Sequence, residues 1–292
     1  MMQGLTRAPG MWHAYTMSMA VRGEVMRTLG FIGAGNMAEA IISGVLGKGL
    51  MPPQDIRVFD IRPERMEVLV SSLGVGSAPT VCDLVSSGDT VVIAVKPAQV
   101  EPLLQDIKDL IRGKLLISIA AGVPLKTMLD ALGRDAHVVR VMPNTPALVL
   151  EGASAIAASP GCSPQDIEAA RSVFGAVGLC LEMEEKYLNA VTALSGSSPA
   201  FCFLFMEALS DGAVRAGLPR DVSTRLAAAA MRGAATMTLQ MEKHPGQLKD
   251  MVASPSGTTI EGIAVLESRG FRSAVMDAVW AAFRRAEDLS GK

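Results

Sequence analysis

Aromatic residues make up only 4% of this 292-residue chain. Surfaces that stack nucleic-acid bases need such side chains, so a nucleic-acid partner is not expected. An excess of one charge is missing too. The 27 Lys and Arg face 29 Asp and Glu, for a formal net charge of −2. That balance argues against nucleic acid and against an acidic membrane surface. The histidines, His13, His137 and His244, lie far apart, and Cys82, Cys162, Cys180 and Cys202 form no CxxC pair. Neither set has metal-ligand spacing, so no protein metal site is expected. The cysteines read as small buried hydrophobes in a reducing compartment, which fits a cytoplasmic location. No apolar run reaches the roughly 18 residues that a membrane span needs.

Hydrophobic residues are plentiful, at 49%, and 18 of them are Met. The length suits one large domain or two ordinary ones. Before Glu24 the chain carries Arg7 and Arg22 but no acid. A transit peptide would show a cleaner amphipathic pattern. The preferred reading is an upstream start, with Met26 as the natural one and residues 1–26 as an extension expected to be disordered.

The chain is organised around Leu29-Gly30-Phe31-Ile32-Gly33-Ala34-Gly35-Asn36-Met37-Ala38. It reads as a short apolar strand, a glycine turn and a helix. Gly33 and Gly35 lack a Cβ, so the turn can be tight and a phosphate can approach the backbone. The N-terminus of the helix adds free N–H groups and a positive dipole end. Ala38 stands where the pattern G-x-G-x-x-G/A wants a small residue. A lone pattern of this kind is weak evidence, and a glycine turn with no ligand is the plainer reading.

Ile56 to Asp60 reads as a strand ending in an acid, about 20 residues beyond the fingerprint, where a carboxylate can bind the ribose 2′-OH of NAD. Arg62 can instead hold the 2′-phosphate of NADP. Pro63 to Ser72 reads as a helix. Apolar runs then recur at Thr90–Val95, Leu115–Ile119 and His137–Met142. They stop at Lys96-Pro97, at Ala120-Ala121-Gly122 and at Pro143-Asn144. Helical segments near Val100–Ile111 and Pro124–Leu132 separate them. Such runs suit strands buried on both faces of a parallel sheet, and the alternation implies a doubly wound α/β fold. Short strands near Ala153–Ala157 and Leu179–Glu182 flank a helix from Pro164. Residues 27–183 are therefore expected to form a Rossmann-type dinucleotide-binding domain.

From Glu184 the pattern is almost wholly helical, with breaks at Gly217-Leu218-Pro219, His244-Pro245-Gly246 and Ser254-Pro255-Ser256-Gly257. Ala227 to Ala235 has almost no polar face, and such a helix needs partners on several sides. Residues 184–292 are expected to form an all-helical domain that pairs two chains. Its Ser254–Thr259 stretch is a small-residue loop opening a helix, a second anion site suited to a carboxylate. Ser254 and Ser256 also fit a plain helix cap.

Six blocks stand out along the chain: Gly33-Ala34-Gly35-Asn36-Met37-Ala38, Ala94-Val95-Lys96-Pro97, Arg140 to Pro146, Leu194 to Ala200, His244 to Asp250 and Ser254 to Thr259. In their order and spacing the chain resembles the pyrroline-5-carboxylate reductases. The resemblance runs from Thr28 to Leu289. It implies hydride transfer from NADP(H), with NAD(H) as the alternative, to 1-pyrroline-5-carboxylate, giving L-proline in the final step of proline biosynthesis. It implies a cofactor lying along the fingerprint, Ala94, Val95, Lys96, Pro97, Ala120, Ala121, Gly122 and Asn144. It implies a substrate carboxylate at Ser256, Gly257 and Thr258, a Thr259 hydroxyl bonded to the ring nitrogen, and Glu185 as an acid near the ring. It implies dimers with interlocked helical domains, often assembled into decamers.

A protonated imine is already a strong electrophile, so no His–carboxylate pair is required, and none is evident in the sequence. Proximity alone can supply roughly 7–11 kcal/mol in the best cases. Three positions depart from the family, which usually has Gly at Ser198 and Ser256 and often Asn at Met251. A β-hydroxyacid dehydrogenase would need a lysine after the glycine-rich stretch, and Phe201 to Phe205 offers none. A non-catalytic dinucleotide sensor leaves the Ser254–Thr259 loop unexplained.

Overall fold

The computed structural model describes residues 26–291. The expectations for the N-terminal extension lie outside the described residues. The first half alternates strand and helix: β1 (Leu29–Ile32), α1 (Asn36–Gly47), β2 (Ile56–Phe59), α2 (Pro63–Leu73), β3 (Gly76–Ser77), α3 (Val81–Ser87), β4 (Thr90–Ile93), α4 (Val100–Ile107), β5 (Leu115–Ser118), α5 (Leu125–Leu132) and β6 (Val138–Met142). β7 (Gly152–Ala158), α6 (Pro164–Gly175) and β8 (Gly178–Glu182) complete an eight-stranded sheet. The strand order is β3-β2-β1-β4-β5-β6-β7-β8. Order reverses between β1 and β4, which makes their carboxyl ends the crevice where open α/β sheets bind ligands.

The sheet is parallel from β3 to β6, as the unbroken apolar runs lead one to expect. β7 and β8 are the exceptions: β7 runs antiparallel to β6, and β8 runs parallel to β7. A short 3₁₀ turn, Thr145–Val149, sends the chain straight back and leaves no room for a crossover helix. Alternate residues of each strand feed two apolar layers. Leu29 and Phe31 pack toward Ile41, Ile42 and Phe174 of α1 and α6. Ile32, Val91 and Ile93 pack toward Leu84, Leu104, Ile107 and Met128 of α3, α4 and α5.

Beyond the sheet come α7 (Leu188–Val191), a π-helical turn at Thr192–Ser197, α8 (Ser198–Arg215), α9 (Arg220–Met241), α10 (Pro245–Val252), α11 (Thr258–Ser268) and α12 (Phe271–Leu289). The expected breaks fall between these helices, and Gly270, at φ 71°, adds another. α8 and α9 pack on each other, and α11 packs on α12. The far end of α12 returns to α7, where Asn189 Nδ2 donates to Ser290 Oγ at 3.0 Å.

α8 to α12 bury little of their apolar surface within the chain. Phe203, Leu204, Met276 and Trp280 are each more than 60% exposed. The continuous stretch Glu185–Arg215 is long and apolar enough, by length and composition, to cross a membrane. The sequence showed no such run because scattered polar residues interrupt it. The cysteines also depart from expectation. Cys82 and Cys202 are exposed, Cys162 and Cys180 half-buried, and all are free thiols. Burial pushes the Cys180 thiol up to about 12, so it stays protonated and inert.

Candidate active site

The fingerprint turn is built as the spacing predicts, but its two glycines do different things. Gly33 has φ +103°, and a Cβ there would stand 2.6 Å from the Ala94 carbonyl oxygen. It is glycine because β4 leaves no room. Gly35 has an ordinary φ of −77°, and a Cβ on it would meet nothing within 4 Å. No protein neighbour requires a glycine there, and no side chain caps α1. The space in front of the Asn36 and Met37 amides thus fits a ligand's diphosphate. Ala38 is fully buried under the helix, as its small size predicts.

The Ala34 peptide is clamped from both sides. Its N–H donates to Asp60 Oδ2 at 2.9 Å, and its carbonyl accepts from Arg65 Nε at 2.9 Å. Arg65 also pairs with Glu39, the one acid in the first turn of α1, at 3.1 Å. That pairing offsets a charge that would repel a bound anion. Asp60 lies just past the end of β2, and its other oxygen accepts from Arg62 N at 2.9 Å and Nε at 3.2 Å. Asp60 and Arg62, read from sequence as competing signals, are therefore partners. Burial pushes the Asp60 carboxyl up. Bonds from Arg62 and the Ala34 and Arg62 amides outweigh it and hold the group below its usual range.

A carboxyl lowered on folding stabilises the fold above its ordinary pKa of 3.8, and that contribution fades as pH falls below it. Asp60→Asn is expected to unfold at lower urea than the parent at neutral pH. The gap should close as pH drops below about 4. Urea midpoints at several pH values measure this, and a gap independent of pH would overturn the assignment.

At the next strand ends, Ala94 and Val95 have left the sheet and are half-buried, and Lys96 and Pro97 are exposed. Lys96 makes no ion pair among the described residues. Ala120 is buried and Ala121 exposed, and Gly122 turns at φ +77° beside the Leu289 carbonyl. Asn144 is 7% exposed, and its amide is engaged by protein. Its Nδ2 donates to Ser195 O at 3.0 Å, and its Oδ1 accepts from Ala153 N at 2.8 Å. It ties the end of β6 to β7 and to the π-helical turn.

The second loop has the form of a tight turn. Gly257 N donates to Ser254 O at 3.1 Å, with Pro255 and Ser256 between them. Ser256 takes φ +55°, a left-handed conformation that turns of this kind give to glycine. A serine there carries about 1 kcal/mol of strain, and the family's usual glycine is understandable. Gly257 precedes α11 with no side-chain cap, and a Cβ on it would meet Ser254 Oγ at 2.2 Å. The α11 amides therefore stay open, which disfavours the plain-cap reading of Ser254 and Ser256. Thr258 is exposed and Thr259 half-buried, and neither hydroxyl is bonded among the described residues.

Glu185 begins the helical half. Its Oε1 accepts from Arg140 Nη1 at 2.8 Å and from Leu125 N at 2.7 Å. Arg140 is 6% exposed in the middle of β6. No local pattern announces this pair or Arg65. A His–carboxylate pair also exists, His137 Nδ1 with Asp166 at 2.9 Å. It sits at the amino end of β6, and the Asp166 carboxylate also accepts from the N–H of Ser163, the N-cap of α6. Among the described residues, no hydrogen bond or ion pair joins Ser254–Thr259 to the strand ends of the same chain.

Known proteins align with these features. The family model described as pyrroline-5-carboxylate reductase dimerisation matches residues 185–289. Another, described as NADP oxidoreductase, coenzyme F420-dependent, matches residues 28–122. A pyrroline-5-carboxylate reductase of Methanosarcina acetivorans is 44% identical over 90% of this chain and 98% of its own. The structure of such a reductase from Coxiella burnetii superposes with a TM-score of 0.87 at 35% identity, covering 91% of this chain and 99% of its own. A Plasmodium falciparum pyrroline carboxylate reductase, solved with NADP bound, gives 0.81 at 30% identity, with coverage of 91% and 99%. The chain belongs to the pyrroline-5-carboxylate reductase family.

Proposed function

We propose that this protein reduces 1-pyrroline-5-carboxylate to L-proline with NADPH, the final step of proline biosynthesis. The observation that carries the reading is the pair of uncapped helix N-termini, at α1 and at α11, in a chain of this family. When bound, the reduced nicotinamide cofactor supplies the hydride. The open space at Gly35 fits its diphosphate. Lys96 and Arg62 offer cations on the same sheet edge, and Arg62 is well placed to choose a 2′-phosphate over a bare ribose. The open Thr258 and Thr259 amides of α11 receive the substrate carboxylate. Thr259 orients the ring nitrogen through its hydroxyl without transferring a proton, since the iminium needs none.

Oxidation of NADPH and of NADH, followed in the presence of pyrroline-5-carboxylate, tests the function. NADPH is expected to be the faster donor, and oxidation of neither would overturn the proposal. Thr259→Ala is expected to lower kcat/KM by about tenfold or more, the worth of one bond to a charged group. An unchanged kcat/KM would remove Thr259 from the site.

The site is proposed to be completed by a second chain. Support comes from the exposed apolar faces of α8 to α12, and from the lack, among the described residues, of any hydrogen bond or ion pair between the α11 loop and the strand ends. Surface of this kind marks an interface. Lys186, Glu207 and Asp211 within Glu185–Arg215 favour a protein partner over lipid. A homodimer, further assembled into a decamer, in the cytoplasm and without nucleic acid or membrane, is the proposed state. Leu204→Glu with Trp280→Glu is expected to sediment as one chain and to lose activity with the assembly. A dimer that persists would overturn the interface.

A further inference from the structure

The edge of the sheet opposite the cofactor crevice carries a feature that the reductase reading does not use. A cavity of about 320 Å³ opens between the loop before β5 and the loop before β6. Lys108, Arg112, Lys114 and Arg134 line it, against one lining acid, Asp135. In a chain whose net charge is −2, that is a marked local excess of cations. Their engagements differ. Lys114 Nζ is tied to the carbonyls of Val85 and Ser86, and Arg112 pairs with Asp109 at 3.1 Å. The ring of His137, also in the lining, is turned to Asp166. Lys108 and Arg134 have no ion-pair partner among the described residues. Gly113 and Gly133 turn the two loops at φ +72° and +103°.

We propose that this cavity binds a small multivalent oxyanion, held between Lys108 and Arg134. Two cations on opposing loops suit a ligand with at least two anionic groups, since one group reaches one side. The walls favour a compact ligand, because buried Ile111 and Leu116 contribute apolar surface beneath the cations. Phosphate and carboxylate groups share the required chemistry, and the fork of Arg134 accepts either. The site is independent of the fingerprint turn. A four-residue strand such as β5 separates the two edges by about 13 Å.

The test is calorimetric titration of the whole protein with inorganic pyrophosphate and, separately, with citrate. Saturating NADP⁺ and L-proline are present throughout, so that the α1 and α11 sites are both blocked. Binding of one equivalent per chain is expected. Lys108→Glu with Arg134→Glu should weaken it by about tenfold or more for each cation reversed, with NADP⁺ affinity and melting temperature retained. Lys48→Glu with Lys126→Glu makes the same change in net charge elsewhere and should leave it intact. The tighter of the two anions identifies the group that the cavity prefers. Absence of binding by both anions would overturn the proposal. Equal weakening by both double variants would overturn it too, because only net charge would then be felt.

Discussion

Gly33→Ala is expected to cost both the fold and the cofactor, and Gly35→Ala the cofactor alone. At Gly33 the added methyl would lie 2.6 Å from Ala94 O and 2.8 Å from its carbon, both backbone atoms of the neighbouring strand end. Neither can swing aside as a side-chain tip would. The residue also sits at φ +103°, where an L side chain adds of order 1–3 kcal/mol of strain. Relief requires the turn to move, and the turn carries the Gly33 N to Phe59 O bond of 2.7 Å and the Ala34–Asp60 bond. A loss of about 3 kcal/mol or more follows, lowering Tm by roughly 6–12 °C for a domain of this size. At Gly35 alanine suits the backbone and meets no protein atom, so Tm should hold or rise slightly. Its methyl instead enters the space in front of α1, and NADPH affinity should fall by about tenfold or more. Melting curves beside cofactor titrations separate the two. A Gly33→Ala protein that melts with the parent would overturn the close-approach argument.

The same pair of residues marks how far the sequence could be read. The glycine turn, the apolar strands and the helix breaks are local patterns, and each appears within a residue or two of its expected place. Misreadings occur where local apolarity continued past the sheet. Ala94 and Val95 look like strand, but the pairing of Ile32 with Ile93 ends β1 and β4 together, and the Ala94 N–H bond to Ile32 O at 2.8 Å closes that edge of the ladder. α4 stops at Ile107, although apolar residues run on to Ile111, because the chain must turn at Gly113 to start β5. β3 is two residues long and α3 seven, too short for periodicity to show. The direction of β7 is not written in its apolar pattern, which is the same either way. The site divides likewise. Backbone donors at helix starts were legible from Gly and Ser. Arg65 reaches Ala34 across 31 positions and Arg140 reaches Glu185 across 45, and no local pattern announces such pairs.

The Arg140–Glu185 pair gives the other large effect, and its asymmetry is the informative part. Arg140 sits on β6 with its side chain 8% exposed, whereas that of Glu185 is 28% exposed. Its register neighbour on β5 is Ser118, fully buried. Glu185→Leu would leave the guanidinium without its acid where water scarcely reaches, and would also free the Leu125 N–H. Stranding a buried charge costs about 3–5 kcal/mol, or a Tm lower by roughly 10 °C. Arg140→Met should cost less, because Glu185 keeps its bond from Leu125 and part of its hydration. The double variant, Arg140→Met with Glu185→Leu, should then be more stable than Glu185→Leu alone, since it removes the stranded charge. Thermal unfolding of the three proteins measures the order. Glu185→Leu melting at or above Arg140→Met would show that Arg140 is not left as a stranded buried charge. The result also decides how any role of Glu185 near the substrate ring is to be measured. A variant that unfolds loses activity for the wrong reason. Glu185→Gln keeps an oxygen for Arg140 and for Leu125, so a fall in its kcat at unchanged Tm would report the carboxylate's charge and not the architecture that holds it.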